Sequence, residues 1–309
     1  MPRKQTRSDS LPAVQPARVV ATFGRRFVLL LDDGAEVSAR LKGRRLQPVC
    51  GDRVDAAPLP NETDWLIVST QPRKNELTRP DLRGRVEVLA ANLDALVVVA
   101  ADLPGPDWFI VDRYICAAEL MGAAAAVAFN KIDLGEIEAT SAKALNEYRS
   151  IGYVTLRCSA VEDINLDALL GFLDARRGIL VGQSGVGKSS LINRLTERSV
   201  LPTAAISESR REGRHTTVGA VMLSLPNGGQ VIDSPGVRDY APAVTRPADV
   251  VRGFREILAA GTGCRFANCR HLREPQCNVK ALVAAGAISA RRYESYKRML
   301  HTAERLHRP

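Results

Sequence analysis

The densest chemistry in the chain lies past its middle, in Gly182-Gln183-Ser184-Gly185-Val186-Gly187-Lys188-Ser189, with Ser190 next. Two glycines with four residues between them and a Lys-Ser after the second form a phosphate-binding loop pattern. Ile179, Leu180 and Val181 precede it as a short apolar run, which predicts a buried strand. Leu191, Ile192 and Leu195 follow at helical spacing. Backbone amides of such a loop wrap phosphate oxygens, and the helix N-terminus adds a favourable dipole. Lys188 is expected at the β- and γ-phosphates and Ser189 on Mg²⁺. The stretch predicts a nucleoside triphosphate site.

Which nucleotide is decided by Asn130-Lys131-Ile132-Asp133, at the end of a predicted strand over residues 124–129. The Asp133 carboxylate can accept from the guanine N1–H and N2–H₂ together, a donor pair that adenine lacks, so the motif selects GTP. Asn130 is expected to face N7 and Lys131 to lie along the purine ring. Ser159 and Ala160, after the next strand, form the companion loop, whose backbone amide is placed to meet guanine O6. Asp233-Ser234-Pro235-Gly236 ends another strand: Asp233 is expected to hold Mg²⁺ through water, and the Gly236 amide to sense the γ-phosphate. Gly213-Arg214-His215-Thr216-Thr217 lies in an Arg-rich polar stretch from Ser207. There a Thr hydroxyl would complete the Mg²⁺ shell as in a switch loop; Thr217 is favoured and Thr216 is its rival.

Cys264, Cys269, His271 and Cys277 fall within 14 residues. Three thiolates and an imidazole suit a closed tetrahedral Zn²⁺ site with no open position for catalysis. Arg265, Phe266, Asn268 and Arg270 lie between these ligands and suit a knuckle that meets an acidic partner. Cys50, Cys116 and Cys158 are isolated and read as core or site-edge residues.

Alternating strands and helices must carry these motifs. A strand over 95–101, a helix from near Pro106 to Gly122, a strand over 124–129 and a helix over 137–150 are predicted. A strand over 154–156, a helix over 166–173 and the phosphate-loop unit follow, then strands over 220–225 and 230–233. This is the pattern of a mostly parallel sheet with helices on both faces. Ahead of it, short strands over 18–23, 26–31, 36–41, 53–55 and 64–69 predict a small barrel of the OB type, with an SH3-like barrel producing much the same pattern. Arg25, Arg26, Arg40, Lys42, Arg44 and Arg45 give the barrel a basic rim, and Trp65 reads as core. Residues 72–85 read as a polar connector. Helices over 247–259 and 290–306 flank the zinc ligands. In the latter, Tyr293, Tyr296, Leu300, Ala303 and Leu306 form one face, with Arg291, Arg292, Lys297, Arg298 and Arg305 elsewhere. The expected units are a disordered tail over 1–16, the barrel over 17–72, the nucleotide domain over 73–245 and a helical zinc domain over 246–309.

Charge divides along the same lines. Residues 1–75 carry a net +5, residues 76–245 a net −4 and residues 246–309 a net +8, within a chain total of +9. Basic flanks around a nucleotide-binding middle suit a polyanion such as RNA. No apolar leader and no run long enough to span a membrane is present, and six Cys are too few for a disulfide scaffold. These features predict a cytoplasmic protein.

The order of the motifs is unusual. An ordinary GTPase runs phosphate loop, switch Thr, Asp-x-x-Gly and then Asn-Lys-x-Asp, whereas here the base-reading motifs come first. A circularly permuted GTPase domain is expected, in which the second switch leads directly into the C-terminal segment. The barrel, Asn130–Asp133, residues 182–190, 213–217 and 233–236, and the Cys264–Cys277 knuckle together resemble the bacterial small-ribosomal-subunit-dependent GTPase A family (RsgA, YjeQ-type), over about residues 17–305. The resemblance implies a late-assembly factor, and a monomer is expected. It would bind the 30S subunit and 16S rRNA near the decoding region through barrel and zinc domain, and leave after GTP hydrolysis. Val218 departs from the third Thr that the family often carries. Ras-type enzymes place a water-orienting Gln after the Asp-x-x-Gly glycine, but Val237 stands here and cannot orient water. His215 is then the candidate catalytic residue, in line with the role proposed for the family's His at that position. Slow intrinsic hydrolysis, accelerated by the small subunit, is the expectation. Two other readings are a GTP-gated RNA-binding module with incidental hydrolysis, and a large-subunit assembly GTPase.

Overall fold

Strands β1 (Gln15–Phe23), β2 (Arg26–Leu31), β3 (Glu36–Leu41), β4 (Arg53–Pro58) and β5 (Trp65–Thr70) open the fold in a computed structural model that describes residues 13–41, 43, 45–80, 86–197, 219–234, 244 and 246–307. β1, β2 and β3 meander antiparallel, β3 runs parallel to β5, and β4 joins β5 to β1. This is a Greek-key closure, an OB-type barrel rather than a sequential SH3-like one. Alternation along the strands sends Val19, Leu29, Val54 and Ile67 inward, each fully buried, with half-buried Trp65 at the edge of that core.

The segment read as a polar connector instead holds β6 (Glu76–Pro80), which pairs antiparallel with β7 (Val86–Ala91). Leu77 is the side chain that β6 buries, so no apolar run marks the strand in the sequence.

The strands and helices β8 (Ala95–Ala100), α1 (Trp108–Met121), β9 (Ala124–Phe129), α2 (Ala139–Ile151), β10 (Val154–Arg157), α3 (Leu166–Phe172), β11 (Arg177–Val181), α4 (Lys188–Glu197), β12 (Val221–Ser224) and β13 (Gln230–Asp233) follow in chain order. The sheet order is β10-β9-β8-β11-β13-β12, parallel except for β12. Every residue of β8 is buried, as a central strand covered on both faces requires. β11, late in the chain, sits between β8 and β13. The motif-bearing strands therefore end at one edge of the sheet, although the chain visits the base-reading strands first. The barrel is also not a bead on a linker: β12 pairs with β1, so one 11-stranded sheet runs from β10 into the barrel.

The C-terminal part comprises a 3-10 helix (Pro247–Gly253), α5 (Arg255–Gly261), α6 (Asn278–Ala284) and α7 (Ala290–His307). Its core joins Val250, Phe254, Ile257, Val279, Tyr296 and Leu300 to Cys116 of α1. Two sequence expectations for α7 fail here. Leu306, placed on the apolar face, is 56% exposed, because the helix outruns its support. Arg292, placed among the charges outside that face, is fully buried. It donates to Asp112 of α1 (2.8 Å) and to Glu256 of α5 (2.8 and 3.1 Å). Arg291 bonds the other Asp112 oxygen at 2.8 Å, and Tyr148 donates to Asp112 at 2.6 Å. A buried arginine needs this degree of pairing to offset its desolvation. No helix among the described residues is long and apolar enough to cross a membrane.

Candidate GTP site and zinc centre

Residues 182–187 leave the end of β11 and turn into α4, whose Leu191, Ile192 and Leu195 anchor it in the core. Gly187 sits at φ 93°, and a Cβ there would lie 2.3 Å from Asn130 Nδ2, so the loop needs glycine at that point. Val186 is fully buried, while Ser184, Gly185, Ser189 and Ser190 are exposed along the mouth of the turn. Lys188 reaches back over the loop, donating from Nζ to the carbonyls of Gly182 (2.7 Å) and Gln183 (2.5 Å).

Asn130 follows β9 and is 2% exposed. Its Nδ2 donates to Val186 O at 2.9 Å and its Oδ1 accepts from the Ala160 N–H at 3.1 Å. Asn130 is expected at the purine N7 and a backbone amide of the Ser159–Ala160 loop at guanine O6. Both are engaged with each other in this structure, and Asn130 ties three loops together. Lys131 holds φ 65° and donates to Leu103 O at 2.7 Å, which stretches its stem across the region beside Gly187. Ile132 opens a 3-10 turn and donates its N–H to Cys158 O at 3.3 Å. Asp133, exposed at the surface, accepts from the buried Ser159 hydroxyl at 2.5 Å. That bond fixes the carboxylate's direction, as a base-reading acceptor requires.

Asp233 ends β13, where Ile232 pairs with Ile179 of β11, so its carboxylate stands at the same sheet edge as the phosphate loop. Gly236, Val237, His215, Thr216 and Thr217 lie outside the described residues.

Sequence reasoning missed residues 102–107. Asp107 donates its N–H to Gln183 Oε1 at 2.7 Å and caps α1, Leu103 O receives Lys131, and Asp102 accepts from Ser141 Oγ (2.6 Å) and the Glu138 N–H (2.9 Å). This turn braces phosphate loop, base loop and α2 together. The signal available was positional: an Asp-rich Pro-Gly-Pro turn leaves the end of β8 on the ligand edge of the sheet.

The ligand atoms of Cys264, Cys269, His271 and Cys277 lie within 4.8 Å of one another. Cys264 Sγ to Cys277 Sγ is 3.8 Å, and each of these sulfurs is 3.5 Å from His271 Nδ1. A tetrahedron built on ordinary zinc bond lengths has S···S edges of about 3.8 Å and S···N edges of about 3.5 Å. The three edges among Cys264, His271 and Cys277 match zinc in size, and the Cys3His donor set suits it in chemistry. Burial lowers the His271 pKa, which favours the neutral ring a metal needs. Tyr296 donates to Arg270 O at 2.9 Å and Tyr293 donates to His271 O, so α7 holds the ligand loop from behind. The other thiols are inert core: Cys50, Cys116 and Cys158 are fully buried, and burial pushes Cys116 and Cys158 each up to about 12.

Comparison with known proteins agrees with this geometry. A sequence model described as RsgA GTPase matches residues 70–242. The small ribosomal subunit biogenesis GTPase RsgA of Azotobacter vinelandii is 38% identical over 292 residues, covering 93% of this chain and 85% of the relative. That of Actinobacillus pleuropneumoniae serotype 5b is 35% identical over 308 residues, covering 98% and 90%. Among solved structures, YjeQ from Thermotoga maritima superposes with a TM-score of 0.73 at 27% identity, covering 94% of this chain and 99% of that one. YloQ, described as a circularly permuted GTPase, shares the fold with a TM-score of 0.73 at 22% identity, covering 98% and 99%. With the motifs meeting at one sheet edge and relatives matching nearly end to end, the chain belongs to the RsgA GTPase family.

Proposed function

We propose that this protein hydrolyses GTP to GDP and phosphate during late maturation of the small ribosomal subunit. In this reading it binds 16S rRNA near the decoding region and dissociates after hydrolysis. The observation that carries the reading is the convergence of Asn130, Asp133, the 182–189 loop and Asp233 on one edge of a permuted sheet. That sheet is continuous with the barrel at one end and tied to the Cys-His cluster through α1 and α7. Basic flanks on both sides of the nucleotide domain supply the electrostatic attraction to rRNA.

Within the site, Lys188 and the loop amides hold the phosphates, and Asp133 reads the guanine. Ser189, Asp233 and Thr217 would hold Mg²⁺, which would supply positive charge against the phosphates. The Gly236 amide senses the γ-phosphate. His215 orients the attacking water. Zn²⁺ is held by Cys264, Cys269, His271 and Cys277 as a structural ion. The factor acts as a monomer in the cytoplasm.

GTP turnover measured alone, with purified small subunits and with purified large subunits tests the reading. Acceleration by the small subunit is expected, and acceleration by the large subunit alone overturns it. His215→Ala should abolish most of the stimulation, and turnover at full rate on the small subunit would remove the catalytic role. A hydrolysis-deficient variant that releases normally from small subunits would favour a GTP-gated RNA-binding module.

A further inference from the structure

The barrel grips the chain where it returns from the predicted switch stretch. Thr22, near the end of β1, donates its N–H to Ala220 O at 3.0 Å, and the Ala220 N–H donates to Thr22 Oγ1 at 3.1 Å. A Cβ on Gly219 would lie 2.1 Å from Thr22 O and 2.3 Å from Thr22 Oγ1, so only glycine lets the two backbones approach this closely. Ala21 pairs with Val221, and Val221 pairs with Asp233 on the next strand. Thr22 is thus one strand from the carboxylate assigned to Mg²⁺ and, through Gly219, two chain positions from Thr217. The β1–β2 turn that follows Thr22 exposes Arg25 and Arg26, part of the barrel's basic rim.

We infer that Thr22 is a positioning residue for GTP hydrolysis. It transmits engagement of the barrel by an RNA surface to the switch by fixing Gly219 and Ala220. The inference rests on reading residues 213–217 as the switch. A polyanion seated on Arg25 and Arg26 loads the β1–β2 turn, and the paired hydrogen bonds at Thr22 pass that constraint to the backbone of Gly219 and Ala220. Thr22 acts through the backbone of its neighbours and touches no phosphate loop residue. Its loss should therefore change kcat and leave nucleotide affinity in place.

The test uses the full chain with purified small subunits, recording kcat and KM for GTP and the Kd for a fluorescent GDP analogue. Thr22→Val, of nearly the same shape but without the hydroxyl acceptor, is expected to lower the subunit-stimulated kcat about five- to tenfold, the rate equivalent of one lost hydrogen bond, with KM and Kd shifted less than about twofold. Thr22→Ser, which keeps the hydroxyl, should restore most of the rate. Thr22→Val with unchanged kcat overturns the inference. So does a fall in kcat accompanied by a comparable loss of GDP affinity, which marks general loosening, or a Thr22→Ser variant no better than Thr22→Val. Thr217→Ala separates the two layers. If neither it nor Thr216→Ala lowers kcat, the switch reading fails and takes the inference with it; if either lowers kcat while Thr22→Val does not, only the barrel coupling fails.

Discussion

Asn130 Nδ2 donates to Val186 O at 2.9 Å, joining the guanine-reading loop to the phosphate loop across 56 positions of sequence. The amide's other atom accepts from Ala160, and the side chain is almost wholly buried. Asn130 acts as a brace, so Asn130→Ala should weaken GTP and GDP together, by about tenfold or more, rather than relax base choice. Titration with fluorescent GDP, GTP and ATP analogues checks this. A selective gain of ATP binding would mean that Asn130 takes part in base choice instead.

Asp133 is where base choice should reside. Asp133→Asn replaces an acceptor with an amide that can donate, so the site should lose guanine and accept a base with a carbonyl at the 2-position. GTP affinity is expected to fall about a hundredfold, with xanthosine triphosphate binding gained. Competition binding with both nucleotides measures the exchange.

Removing one partner of the buried Asp112–Arg292 pair leaves a buried charge with less compensation, Glu256 alone for Arg292 or Arg291 and Tyr148 for Asp112. Asp112→Leu or Arg292→Met alone should destabilise the chain by about 3–5 kcal/mol, and the double variant by clearly less than the sum. Urea denaturation of the singles and the double gives the coupling directly. Strict additivity would mean that the pair does not hold α1 to α7.

The Cys-His cluster predicts one zinc per chain by elemental analysis, lost in Cys277→Ser. The cysteine thiols must lose their protons to bind, so zinc affinity should fall as pH is lowered, with protons released on binding. Stripping the metal with a chelator should loosen the ligand loop and α7 first, read as faster amide exchange over residues 264–307.

Asp94 ties the start of β8 to β11 by accepting from the Arg177 backbone and side chain at 3.2 and 3.0 Å. Burial raises its pKa, but the Arg177 bonds outweigh this and hold it below the ordinary carboxylate value of 3.8. A depressed carboxylate adds stability that is present above 3.8 and lost as pH falls through its lower folded value. Asp94→Asn should therefore be less stable than the parent at neutral pH, with the gap closing under acid. Denaturant midpoints at neutral and acid pH decide it.

The GTPase assignment, the permuted order and the Cys-His cluster were all readable from the sequence. Each depends on residues close in the chain whose type and spacing suffice: glycines before Lys188, a carboxylate at Asp133, and four donors within 14 residues at Cys264–Cys277. β6 was not readable, because it buries little beyond Leu77 and carries no period. Nor was the burial of Arg292, whose partners come from α1 and α5 at distant positions in the chain. The tertiary structure alone showed Asn130 bracing the phosphate loop, enlisted residues 102–107 and joined Thr22 of the barrel to Gly219 and Ala220. Hydrogen bonds between segments far apart in sequence leave no local pattern. They exist only once the sheet brings its strand ends to a common edge, and that is what places Lys188, Asp133 and Asp233 at one end of the fold.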